Sequence, residues 1–420
     1  MAQRKKKPSG HQLQAIAKAH YKNEFMRKLR LFINECCDED IYRLIPSRML
    51  NILYLDRYHS LKIVKAEGQN VPIEILNNMR AFIGEWINAE PIVLPKYTNK
   101  MTIGEFFTIG LTAIKLYNSI DENMFPRSDK VKSALQKFGS DEEALFESFK
   151  QLNSILAIAG YFYSKIGSRI YWLQYDLVKR NDIDDCPDNL VLVHSQEAES
   201  IQVKINDTIR PAVRLGWAVE CTDFEWATIK PSLLYSEKPE YDIPMKVYVQ
   251  SHALLRLSER IDCIIENILH YNMYESFCDP KICFDSHHNF LIEYRIFGTK
   301  AGYFRLDIVK NILVVRTFLF LTNSGTPEGD LLGKNTGLKM LDKKYLAIDK
   351  LSTFISSDIK TNPQLKKIFT DSGCQCLFDL ENETDPKCIS MPQKSTSALM
   401  LSYLGYVNSF IPETVAELSS

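Results

Sequence analysis

The chain has 420 residues, 45% of them hydrophobic and 25% charged, with a net charge of −1. Such a chain is long enough for two or three domains, and its charge excludes a uniformly basic nucleic-acid coat while leaving room for a local basic patch. No apolar run approaches the roughly 18 residues a membrane helix needs. Ile155–Tyr163 and Ile312–Leu321 come nearest, and Arg316 interrupts the second.

Residues 1–10 read as a basic disordered arm, with its charge on Arg4 to Lys7 and no apolar segment behind it to make a signal peptide. The expectation is a cytoplasmic chain. From His11 to about residue 180 the apolar spacing is helical. Leu13, Ile16, Ala17 and Tyr21 open a stripe that Phe25, Leu29, Leu31 and Phe32 extend. Further helical stretches cover 40–64, with Pro46 as a candidate break, then 72–89 and 102–119. Ser140-Asp-Glu-Glu143 has the form of a capping box, hydroxyl at the N-cap and carboxylate three residues on. It launches a helix through Leu145, Phe149, Leu152, Ile155 and Ala159, expected to continue over Tyr161–Val178. Residues 11–180 therefore read as a helical domain, a candidate for regulation or for binding an inhibitor or partner protein.

The polar stretch 181–189 is the expected boundary, and after it the periodicity moves towards two. Residues 190–193, 201–205, 212–219 and 225–229 read as short strands, and 236–244 as a linker with two prolines. The core of the second domain, 242–360 within 190–360, reads as strand, helix, three strands, helix. The strands are Met245–Gln250, Phe290–Phe297, Gly302–Val309 and Ile312–Leu321, the last apolar on both faces and so central. The first helix runs from Ser251 to about Tyr271, and a closing helix covers 336–359. The glycine-containing stretch 325–333 reads as a turn. The tail, 361–420, is read as loop with a short helix near 397–408. The expected fold class is α+β: an all-helical N-terminal domain followed by a C-terminal α+β domain with a small antiparallel sheet.

Among the ten cysteines there is no CxxC pair. Cys278-x4-Cys283 with His287-His288, and Cys374-x-Cys376 with Cys388, lack the spacing of zinc sites, so reduced thiols and no metal are expected. Phosphate-loop, HExxH, GxSxG and GxGxxG motifs are missing, which points to chemistry without a cofactor.

The most informative segment is the helix at Ser251. His252, Arg256 and Arg260 recur at helical spacing on one face with Glu259 beside them, while Leu254, Leu257, Ile261, Ile264, Ile265 and Ile268 lie opposite. Cleaving RNA without a metal needs a base for the 2′-hydroxyl, cations for the phosphorane and an acid for the leaving oxygen. Histidine suits proton transfer and arginine suits the phosphate. Arg295 and Arg305 fall on the polar face of neighbouring strands, as substrate-binding candidates together with Thr322. Arg316 and Thr317 interrupt the most apolar strand and call for a partner.

His252-Ala253-Leu254-Leu255-Arg256-Leu257-Ser258-Glu259-Arg260 on a helix after a short strand, followed by three antiparallel strands with Val314-Val315-Arg316-Thr317 in the last, resembles the barnase–EndoU–colicin–RelE superfamily of metal-independent ribonucleases. Within it the segment looks most like phage- and mobile-element-associated members with a HAxxRxxER helix. The resemblance covers roughly a quarter of the chain. It implies a toxin-like endoribonuclease acting on RNA, with His252, Arg256, Glu259, Arg260, Arg316 and Thr317 catalytic. Two other readings stand beside it. One is a non-catalytic interaction or structural protein of a phage or mobile element that keeps the fold. The other is a nucleic-acid-binding protein using the basic arm with Arg295 and Arg305.

Overall fold

The structure is a computed structural model that describes residues 10–37, 40–89, 91–92, 101–139, 142–178, 188–205, 207–219, 223–235, 242–383 and 403–404. Its fold is mixed α+β. The described chain forms two compact units. One takes in the chain up to Gly160 with Tyr171–Ser195 and Val219–Asp223. The other takes in Tyr161–Ile170, Gln196–Ala218 and the chain from Phe224 onward. The basic arm, the capping box at Ser140 and most of the expected linkers lie outside the described residues.

The first unit carries α1 Gly10–Cys37, α2 Ser47–Leu55, β1 Lys62–Lys65, α3 Ile73–Ala89, α4 Ile103–Glu105, α5 Leu111–Ser119, α6 Ser128–Gly139 and most of α7 Glu142–Tyr163. A π turn at Phe106–Gly110 joins α4 to α5. Leu29, Ile33, Ile41, Ala113, Leu116 and Leu135 form its core, as the helical spacing requires. The unit is not purely helical. The stretch expected as helix over 40–64 is a 3₁₀ turn at Ile41–Leu44, then α2, then β1. The helix expected over Tyr161–Val178 stops at Tyr163, and the chain turns at Gly167 (φ 91°) into β2 Arg169–Val178. Ile170, Tyr171, Trp172, Leu173 and Tyr175 make that segment dense in residues that fit a pleated, half-buried surface. β3 Asp188–Glu197 lies between β2 and β1, parallel to β1 with Ile63 opposite Val191.

The second unit is built on an eight-stranded sheet. Its strands are β4 Ser200–Ile205, β5 Thr208–Arg214, β8 Thr228–Ile229, β9 Met245–Val249, β10 Ile282–Phe284, β11 Phe290–Ile296, β12 Thr299–Val309 and β13 Ile312–Phe320. The order is β10-β11-β12-β13-β9-β5-β4, with β8 also pairing β9. A separate ribbon of β6 Gly216–Val219 and β7 Asp223–Trp226 precedes β8. The sheet is larger than the sequence suggests and mixed, because β9 runs parallel to β13 with Val249 opposite Val315. β13 is interior to the sheet, which accounts for its apolar character on both faces.

α8 Ser251–Arg260 and α9 Glu266–Cys278 cover one face. Ala253, Leu257, Leu269, Met273 and Phe277 pack with Tyr294, Phe304, Leu306, Val315 and Phe318. The single helix expected from Ser251 to Tyr271 is thus two. Ile261 leaves helical geometry (φ −99°, ψ 52°), and Ile261 and Cys263 turn into the core, where their burial outweighs helix continuity. The closing helix expected over 336–359 is also broken. α10 Pro327–Thr336 ends at left-handed Gly337 (φ 75°), α11 Met340–Tyr345 is short, and α12 Leu351–Ser356 follows a second positive φ at Ala347. Residues 325–333 are not a turn. The Thr326 hydroxyl accepts from the Gly329 N–H and caps α10, with Pro327 in its first turn. The tail contributes α13 Pro363–Asp371, capped by Asn362, and α14 Cys376–Glu383, whose Leu365, Phe369 and Leu377 join the core. Of the helix expected near 397–408, only Tyr403 and Leu404 are described. No described helix is long and apolar enough to cross a membrane.

Candidate functional site

On the other face of the sheet a small apolar strip of Val203, Ala212, Tyr248 and Val314 runs across β4, β5, β9 and β13. Next to it opens a cleft of about 230 Å³ lined by Arg210, Gln250, His252, Arg305, Arg316 and Thr317. Each of these positions follows from the strand and helix geometry. Arg210 lies two residues before Ala212 on β5 and shares its side of the strand. Gln250 follows the last residue of β9 and serves as the N-cap residue of α8, and His252 stands in that helix's first turn.

Arg305, Arg316 and Thr317 meet through a β-bulge. The ladder between β12 and β13 pairs Arg305 with Thr317 but Leu306 with Val315, leaving Arg316 as the extra residue. On β13 the core side chains are therefore Val315 and Phe318, with Arg316 and Thr317 together on the opposite face. Bulges re-aim side chains in this way at strand positions near binding sites.

The cleft's cations are held in different ways. Arg305 donates from Nη2 to the Asn289 side-chain carbonyl at 2.9 Å, and its Nε is buried without a partner. Asn289 is in turn fixed by Asp285, whose carboxylate accepts from the Asn289 and His287 N–H groups at 2.8 and 2.9 Å and from Asn289 Nδ2 at 2.6 Å. Burial raises the Asp285 carboxyl, but those hydrogen bonds and the charge of Arg305 outweigh it and hold the group below the usual range. Arg316 donates to Asp307 at 2.8 Å. Arg210 is exposed, and its side chain makes no hydrogen bond or ion pair with a described residue. Burial of the His252 ring and the positive charges of Arg256 and Arg210 push its pKa below 6.5, against a smaller opposing pull from Glu259. The ring is thus mostly neutral at pH 7 and able to accept a proton.

The other candidates stand elsewhere. Arg256 pairs with Glu259 at 2.6 Å on the exposed face of α8, one turn beyond His252 and outside the cleft lining. Arg260 forms a buried ion pair with Asp349. Arg295 lies near the β11–β12 turn, opposite Lys300, where it donates to the Asp279 carbonyl at 2.5 Å. Arg305 pairs with Leu291, four residues down β11, so the two arginines are about 13 Å apart along the strand by ordinary rise. Thr322 is buried and donates to the Ile348 carbonyl at 2.6 Å. Among the described residues no group of three or more His, Cys, Asp or Glu side chains could hold a metal ion. Cys388 lies outside them.

Arg210 and Gln250 were not foreseen. Arg210 is distant in sequence and reaches the cleft because β5 pairs with β9, Val213 opposite Val249. Gln250 reads simply as the last residue of an apolar strand. The arrangement can bind an anion, with guanidinium forks and a hydroxyl around the uncapped first turn of α8, and can accept a proton at His252. Comparison with protein-family models, curated proteins and solved structures finds no match to this chain.

Proposed function

We propose that the second unit is a metal-independent ribonuclease domain, of the toxin-like kind that its α8 motif resembles, and that the cleft on its sheet binds the RNA phosphodiester. The observation that carries this reading is the convergence of His252 with Arg210, Arg305, Arg316 and Thr317 on one open cleft. His252 takes the 2′-hydroxyl proton as the 2′-oxygen bonds to phosphorus, and the guanidiniums hold the phosphate as negative charge grows on it. The P–O5′ bond breaks with the leaving 5′-oxygen taking its proton from the His252 imidazolium or from water. The N-terminus of α8 adds unpaired N–H groups of the same sign. Arg256 and Glu259 act on the site through their charges on His252, and Arg260 and Thr322 have structural roles.

Expression of the full chain arrests growth under this reading, and His252→Ala relieves it. In vitro the wild type cleaves RNA in the presence of a chelator. A wild type that binds RNA or phosphate but never cleaves removes the catalytic part. One observation favours that second reading, an anion-binding module without chemistry: of the groups lining the cleft, His252 alone titrates near neutral pH.

A further inference from the structure

The floor of the cleft holds a neutral side chain among the cations. Gln250 is 3% exposed, and both its backbone groups are committed: its N–H donates to the Val315 carbonyl at 3.0 Å, and its carbonyl accepts from the Ala253 N–H at 2.8 Å. The side chain does not cap α8, and its amide has no hydrogen-bond partner among the described residues. What little of the residue is exposed lies at the amide, which keeps its access to the cleft. The amide opens on the cleft it lines, so a ligand bound there can take its hydrogen bonds in place of solvent.

The chemistry of that ligand group follows from the amide. A phosphate oxygen accepts hydrogen bonds and does not donate, so the arginines and Thr317 serve it and the Gln250 carbonyl oxygen would face it unfavourably. A carboxamide is matched by a group that both donates and accepts. On a phosphodiester, the group of that kind nearest the phosphorus is the hydroxyl vicinal to the ester, which is the ribose 2′-hydroxyl that also separates RNA from DNA. Gln250 stands two residues before His252, across the first turn of α8. We infer that Gln250 is the specificity-determining residue of this cleft, its amide accepting from and donating to the 2′-hydroxyl beside a phosphate held by Arg305, Arg316 and Arg210. The inference rests on the reading of the cleft as an RNA phosphate site.

Calorimetry on the full chain tests it with three probes: inorganic phosphate, a ribonucleoside 3′-monophosphate and its 2′-deoxy counterpart. The wild type is expected to bind the ribonucleotide about tenfold or more tightly than the deoxynucleotide, the loss from one unmade polar contact. Gln250→Met keeps the length and apolar burial of the side chain. It is expected to bring the two nucleotides within about twofold while leaving inorganic phosphate binding within about threefold. A wild type that binds phosphate yet does not separate the two nucleotides overturns the role of Gln250 and leaves the phosphate site standing. The same holds if Gln250→Met retains the preference. A wild type that binds neither phosphate nor nucleotide overturns both. Should Gln250→Met fail to fold, the 2′-O-methyl nucleotide decides on the wild type. It cannot donate, so it is expected to bind as weakly as the deoxynucleotide, and binding equal to the ribonucleotide overturns the inference.

Discussion

Arg316 and Thr317 are consecutive residues of one strand whose side chains lie on the same face, because the bulge opposite Arg305 absorbs the alternation between them. Arg316→Ala is expected to weaken binding of inorganic phosphate about tenfold to a hundredfold, the range for one charge-assisted hydrogen bond. Arg316→Lys keeps the charge, loses the fork and is expected to fall between. For single-stranded RNA, the slope of log affinity against log salt becomes shallower by about one for Arg316→Ala. An unchanged phosphate affinity places the anion elsewhere.

His252 gives the site its pH dependence. Burial and the charges of Arg256 and Arg210 lower its pKa, so the neutral base form dominates from below pH 6.5 upward. Cleavage that needs the neutral ring therefore rises with pH, with its midpoint below 6.5. Arg256→Ala removes a lowering charge and moves the midpoint up, while Glu259→Gln removes a raising charge and moves it down. An NMR titration of the His252 ring reports both directions, and a midpoint indifferent to both variants contradicts the electrostatic account.

Arg260 is expected to matter for stability and not for binding. It is buried against Asp349, whose Oδ1 has no partner even in the folded chain. Arg260→Ala strands that carboxylate and is expected to cost about 3–5 kcal/mol. Pairing Arg260→Met with Asp349→Leu removes both charges and recovers much of the loss. Chemical denaturation measures each. Phosphate affinity of the folded single variant stays near wild type, which a catalytic Arg260 would not allow.

Gly329 is where α10 meets the end of the sheet. A Cβ added there would sit 1.8 Å from the Asn323 carbonyl oxygen, and the backbone on both sides is fixed by the Thr326 cap. Gly329→Ala is expected to destabilise by roughly 3–5 kcal/mol or to abolish soluble expression, whereas Gly298→Ala, with open space around it, acts only through its left-handed backbone. Equal melting temperatures for Gly329→Ala and wild type would contradict the packing described.

What the sequence makes legible is periodic. The alternation of Phe304, Leu306 and Ile308 with Arg305 and Asp307 places β12, and the run Ile312–Leu321 places β13 inside the sheet. The helical spacing of α8 gives His252 its polar face. What stays hidden is where periodicity breaks or where distant strands meet. Alternation puts Arg316 and Thr317 on opposite faces, and the bulge that unites them leaves no local mark. Alternation also groups Arg295 with Arg305, although the hairpin register separates them. Arg210 enters through β5–β9 pairing, a contact no local pattern announces. The segment 336–359 satisfies helix spacing throughout, yet the left-handed turns at Gly337 and Ala347 fold it into pieces that bury Leu346, Ile348 and Phe354.

β9 joins the β4–β5 hairpin to the β11–β13 meander, and its parallel pairing with β13 closes a long loop. Loop closure of that kind is a slow step, since chain entropy is lost before the strands are in contact. Arg210 arrives with one side of that closure and Arg305 and Arg316 with the other, so three guanidiniums are brought together late in folding. Without an anion their repulsion opposes the final pairing. With one it becomes an attraction, so phosphate should raise the refolding rate as well as the melting temperature.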